Sequence, residues 1–123
     1  MRQRMGAMLV IMGAAVLGSA TTRPPGAAVA VAQEVTERGL LDNERVTVAE
    51  YVFPPAFRGD EHAAIADEFA YVLEGEFVVV TKGRGKRVVR RGEVEYAAKG
   101  TIHQSLNETK RPARVLVVLL KER

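Results

Sequence analysis

Only two histidines occur in the 123 residues, His62 and His103, and each sits in a stretch of recognisable spacing. In HAAIADEFAYVLEG, residues 62–75, an imidazole and a carboxylate stand six residues apart, at His62 and Glu68. The segment reads as strand, and alternation then puts His62, Ala64, Ala66 and Glu68 on one face, with Glu61 and Asp67 on the other. The second stretch, GEVEYAAKGTIHQSLN at 92–107, brings His103. Two imidazoles and one carboxylate are a donor set for a divalent metal, because neutral ring nitrogens and one charged oxygen leave positions open for a further ligand. Fe(II), Mn(II), Ni(II) and Zn(II) all accept such donors, and affinity order alone does not choose among them. The same three groups without a metal form a hydrogen-bonded polar trio, with Glu68 charged and paired to a histidine. A metal-free Glu68, its pKa raised by burial, is also a general base.

Other chemistries are excluded. The chain has no cysteine, so thiolate metal sites, cysteine nucleophiles and disulfides are absent. Its serines and threonines have no histidine and acid in a pattern suited to a nucleophilic triad. Tyr51, Tyr71 and Tyr96 are candidates for lining a pocket, though half-buried tyrosines in a β structure need no role.

The elements that must position these residues read as short strands. RVTVAEYVF (45–53) is rich in β-branched and aromatic residues, and Pro54–Pro55 ends it before a loop, AFRGDE. Residues 68–74 and 77–82 are strand-like runs around Gly75, which predicts a hairpin there. KGRGK (82–86) predicts a solvated hairpin tip; it lacks the aromatic neighbours of a base-stacking surface and a following helix. Two short strands follow about Gly92, then a turn at Lys99–Gly100, a loop at NETKRP (107–112) and RVLVVLLK (114–121). The last is apolar on both faces and so belongs at the centre of a sheet. Gln33 to Asn43 is a polar lead-in with room for one short strand. No amphipathic helix is predicted, and evenly spaced strands argue an all-β barrel or sandwich. If Glu68 faces inward, Phe69, Tyr71 and Leu73 face outward as an apolar stripe, to be covered by the N-terminal segment or by a second copy in a homodimer.

Residues 1–32 do not read as part of this domain. Arg2 and Arg4 precede an uncharged apolar run from Met5 to Gly18, and small residues follow at Ala20 and Ala32. That is the layout of a signal peptide cleaved after 20 or after 32, which implies export to a periplasmic or extracellular space and no stable membrane insertion afterwards. The run is shorter than the ~20 residues of a spanning helix. The segment holds three arginines and no acid, so its removal leaves 15 basic residues against 15 acidic ones and takes the formal charge from +3 to zero. The basic whole-chain balance is thus no argument for a nucleic-acid partner.

Two longer patterns now stand out. His62, Glu68 and Gly75 fit Gly-x5-His-x-His-x3-Glu-x6-Gly, with Ala56 at the opening glycine and Ala64 at the second histidine. Gly92, Gly100, His103 and Asn107 fit Gly-x5-Pro-x-Gly-x2-His-x3-Asn, with Ala98 at the proline. These are the two motifs of the cupin superfamily, and residues 33–123 resemble its small single-domain members. The resemblance implies a cupin-like (jelly-roll) β-barrel holding a divalent metal through three histidines and a glutamate. Carried over, His62, Glu68 and His103 are the ligands, and Ala64 supplies no donor atom. Asn107 also opens Asn-Glu-Thr, a glycosylation acceptor pattern, but the second motif accounts for it.

Three functions compete on this reading: a metal-dependent enzyme of oxygenase or isomerase type acting on a small molecule, a non-catalytic module for a metal or small ligand, and a metal-free structural or interaction barrel. The fold does not choose between them.

Overall fold

The structure is a computed structural model and describes residues 34–122. The signal-peptide expectation for residues 1–32 lies outside the described residues. Within them every regular element is a strand, and no helix is long and apolar enough to cross a membrane.

Nine strands run β1 (Thr36–Asp42), β2 (Val46–Phe53), β3 (His62–Ala63), β4 (Asp67–Glu74), β5 (Glu76–Thr81), β6 (Gly85–Arg90), β7 (Val94–Ala97), β8 (Ile102–Leu106) and β9 (Ala113–Leu120). They form two antiparallel sheets, one ordered β1-β2-β9-β4-β7 and the other β3-β8-β5-β6. β9 occupies the centre of the five-stranded sheet, where its alternately buried and half-buried residues are, apart from Arg114, apolar on both faces. The lead-in is a full seven-residue edge strand with a bulge between Gly39 and Leu41, and all its residues are exposed.

Side chains from the two inner faces fill the space between the sheets. Tyr51, Phe53, Val72, Val89 and Val115 are almost fully buried there. Phe53 on β2 and Phe77 on β5 stack at 5.6 Å between ring centres, joining one sheet to the other.

Two local expectations are corrected. Gly75 does not turn a hairpin, since β4 pairs with β7 and β9 while β5 pairs with β6 and β8. It is a corner at which the chain leaves one sheet for the other. Its φ is +75°, and a Cβ there would stand 2.6 Å from the carbonyl oxygen of Pro112, so only glycine fits. Likewise, residues 62–68 are not one strand. β3 ends at Ala63, the chain bends at Ile65–Ala66, and β4 starts at Asp67 in the opposite sheet. Continuous alternation therefore does not connect His62 to Glu68; the bend does.

Candidate functional site

The bend brings the three sequence-nominated residues together from both sheets. His62 on β3 pairs directly with His103 on β8, and their rings meet edge to face at 4.8 Å. Glu68 projects from β4 of the other sheet, on the buried face with Ala70 and Val72. Its Oε2 lies 3.8 Å from His103 Nε2. Glu68 is 6% exposed and His103 4%, so both are sealed from bulk water.

The two imidazoles present bare nitrogens. His62 Nδ1 lies 2.9 Å from the carbonyl oxygen of Asp60. A carbonyl only accepts, so Nδ1 carries the proton and Nε2 keeps its lone pair. That Nε2, and Nε2 of His103, are buried with no hydrogen-bond partner. Two unsatisfied nitrogens in one interior are costly and call for an explanation.

Electrostatics drive the buried acid and base toward neutrality. Burial, and next the negative charge of Glu95, push the Glu68 carboxyl up to about 7. Burial, and next the neighbouring His62, push His103 down to about 4. At 3.8 Å the two are beyond hydrogen-bond range. A charged pair would have moved both pKa values the other way, so the close approach is not an ion pair.

Beside them lies an interior cavity of about 20 Å³ whose polar lining is Glu68, Glu95, His103 and Ser105, against Phe53 and Phe77 among others. One water needs ~10–15 Å³ by this measure, so the space suits a single ion or water and excludes an organic molecule. Tyr51 is the one tyrosine of the three that faces inward, where its hydroxyl bonds to Glu37; Tyr71 and Tyr96 are on the outer surface.

A divalent ion fits these donors in kind. Ligand bonds of ~2.0–2.1 Å place two donors of a tetrahedral ion about 3.3 Å apart, so the 3.8 Å between His103 and Glu68 is about half an ångström wide. As the side chains stand, no group of three or more His, Asp or Glu among the described residues is set to hold a metal ion. Ala64 is buried and offers no donor.

Alternation alone did not single out Glu95. In Val94-Glu95-Tyr96-Ala97, an apolar-inward reading sends the glutamate to solvent. The structure does the reverse: Val94 and Tyr96 are exposed, and Glu95 lines the cavity with Ala97. Asn107 is fully buried, which closes it to glycosylation. Its Nδ2 donates to the carbonyls of Phe53 (3.1 Å) and Arg111 (2.8 Å), and its Oδ1 accepts from the backbone N–H and hydroxyl of Thr109.

Comparison with known proteins agrees with this architecture. No curated protein matches the chain in sequence. Among solved structures, a cupin superfamily protein from Desulfitobacterium hafniense is 20% identical, with TM-score 0.66 over 77% of this chain and 84% of that one. The polyketide cyclase RemF from Streptomyces resistomycificus is 28% identical, with TM-score 0.64 over 72% of this chain and 66% of that one. The DMSP lyase DddQ from Ruegeria pomeroyi is 18% identical, with TM-score 0.66 over 72% of this chain and 47% of that one. Residues 49–119 match the family described as Cupin domain and carry both motifs whole; β1, the opening of β2 and the last residue of β9 lie outside the match. With motif, fold and family agreeing, this chain belongs to the cupins.

Proposed function

We propose that the barrel binds a divalent cation, Fe, Mn, Ni or Zn, through His62, Glu68 and His103, with remaining positions open to a small molecule. One observation carries this reading: two buried imidazole nitrogens have no partner, and a buried carboxylate approaches one of them. Asp60 supports it by holding His62 in the tautomer whose Nε2 can bind a metal. When bound, such an ion polarises a ligand oxygen as a Lewis acid. The protein's part is to exclude water, hold His103 neutral and supply Glu68 as the charged ligand. The likeness to a polyketide cyclase supports an enzymatic use of the site. Because the interior cavity holds no organic molecule, the small molecule approaches from the mouth of the barrel.

The test is thermal melting of metal-stripped protein with each of the four ions. Ligand binding to the folded state alone raises stability by mass action. An ion that raises Tm in wild type and not in His103→Ala supports the reading; no rise with any ion removes it.

A second reading, a metal-free barrel serving structure or a non-catalytic ligand, is favoured by the absence of a ready three-ligand group among the described residues. In that case a water in the cavity bonds to neutral Glu68 and His103, and His103→Ala alters stability alone.

Two further parts belong to the same reading. Export, with residues 1–32 removed, is supported by Arg2 and Arg4 ahead of the apolar run; N-terminal sequencing of the protein from its source organism checks it. A homodimer through the outer face of the five-stranded sheet is supported by Phe69, Tyr71, Val94 and Tyr96, all exposed there. Five strands at ~4.8 Å spacing, each presenting ~20 Å, give a face of roughly 500 Å² in flat projection. Small stable interfaces bury ~600 Å² per partner, so a dimer of this kind uses the whole of this face.

A further inference from the structure

Glu95 is the carboxylate of this interior that neither motif explains. It sits on β7, whose register sets Glu68 opposite Ala97 and Glu95 opposite Ala70. Glu68 and Glu95 are therefore diagonal neighbours on one inner face, within reach of each other's long side chains. Both line the same cavity, together with His103. The side chain of Glu95 is 13% exposed, and Arg87 of β6 donates to its Oε1 and, at 3.2 Å, to the carbonyl of Val94.

An ion pair for stability alone does not ask for this arrangement. Surface pairs return little, and a glutamate turned outward would make one without bringing a second carboxylate beside Glu68. Both carboxyl groups line one small cavity, where two negative charges repel unless a proton or a cation relieves them. The cavity also contains a buried, unpartnered imidazole nitrogen, that of His103. Arg87 spans β6 and β7, the edge strands of the two sheets, and so fixes the direction of Glu95 from outside.

We infer that Glu95 is a further oxygen donor of the cation site, doing from β7 what the missing histidine at Ala64 does not. The inference rests on the metal reading above. Two imidazoles with two carboxylates make a harder donor set than three imidazoles with one, and shift the preference toward Mn(II) and Fe(II). Arg87 is a positioning residue, holding one oxygen of Glu95 at the seam.

The test is titration of metal-stripped full-length protein with Co(II), whose visible d–d band reports the donor set, in wild type, Glu95→Gln and His103→Ala. Wild type should bind, His103→Ala should lose binding, and Glu95→Gln should bind at least tenfold more weakly with a displaced band. A merely structural glutamate would lower Tm and leave the band in place. If Glu95→Gln binds with the affinity and spectrum of wild type while His103→Ala does not bind, the Glu95 inference fails and the metal reading survives. If wild type itself binds no Co(II), both fall. Should Glu95→Gln not fold, Glu95→Asp keeps the charge and the Arg87 partner but withdraws the carboxylate by one methylene, and the same weakening and displaced band are expected.

Discussion

His103 Nε2 faces Glu68 Oε2 across the barrel at 3.8 Å, one from each sheet, too far to share a proton and too buried for both to be charged. Between about pH 4 and 7 the pair is a neutral acid beside a neutral base, each displaced toward the uncharged form by the same dry interior. This has a measurable consequence without any metal. Glu68 rises from 4.5 to about 7, so its contribution to stability is present below pH ~4.5 and is lost as pH rises through about 7. His103 falls from 6.5 to about 4, so its contribution is present above pH ~6.5 and is lost as pH falls through about 4.

In metal-free wild type the two terms oppose each other and largely cancel between pH 4.5 and 6.5. Glu68→Gln leaves the histidine term alone, so its stability relative to wild type should rise with pH across that window, by roughly 3 kcal/mol. His103→Asn should show the opposite slope, of similar size. Urea unfolding at half-unit pH steps measures both. Parallel pH profiles in all three proteins would show that the buried pair is not perturbed as described.

Asn107 should matter for stability and not for the site. It holds the carbonyls of Phe53 and Arg111 and caps the turn at Thr109. Asn107→Ala leaves those buried groups unsatisfied and opens a small void, at a cost of about 3 kcal/mol in chemical denaturation. A cost under about 1 kcal/mol would contradict this account of the residue.

Backbone strain predicts two substitutions of opposite sign. Gly75→Ala forces a Cβ onto Pro112 at positive φ and should destabilise by about 2 kcal/mol or more, or prevent folding. Ala56 has φ +64° at the position where the first motif has glycine. Ala56→Gly should therefore be neutral or raise stability by up to about 1 kcal/mol. A clear loss of stability in Ala56→Gly would mean that its left-handed conformation carries no strain.

The outer sheet face should decide oligomeric state. Phe69 and Tyr96 pack together at 5.0 Å on that face while remaining exposed. Sedimentation should find a dimer for wild type and a monomer for Phe69→Asp with Tyr96→Asp, the fold being retained by circular dichroism. A monomeric wild type at tens of micromolar would remove this interface.

Much of this was legible in the chain, for identifiable reasons. Turn glycines and prolines bounded the strands, and the all-apolar 115–120 run marked the central one. The motif spacings nominated His62, Glu68 and His103, which do meet in one interior. The alternation argument for one continuous strand put His62 and Glu68 in one interior by the wrong route, because nothing local in Ala64-Ile65-Ala66 announces a bend between sheets. Gly75 was misread since a turn glycine looks the same whether the strands beside it pair or part. Glu95 was hidden by its apolar neighbours: on β7 the exposed face is the apolar one, and periodicity alone cannot tell inside from outside.

The most direct measurement is metal content by mass spectrometry on the protein isolated from its source organism, beside His103→Ala prepared in the same way. The account predicts about one divalent ion per chain in wild type and little or none in the variant. No metal in wild type, even after incubation with Fe(II), Mn(II), Ni(II) and Zn(II), would contradict it and leave a barrel built around a neutral polar cavity.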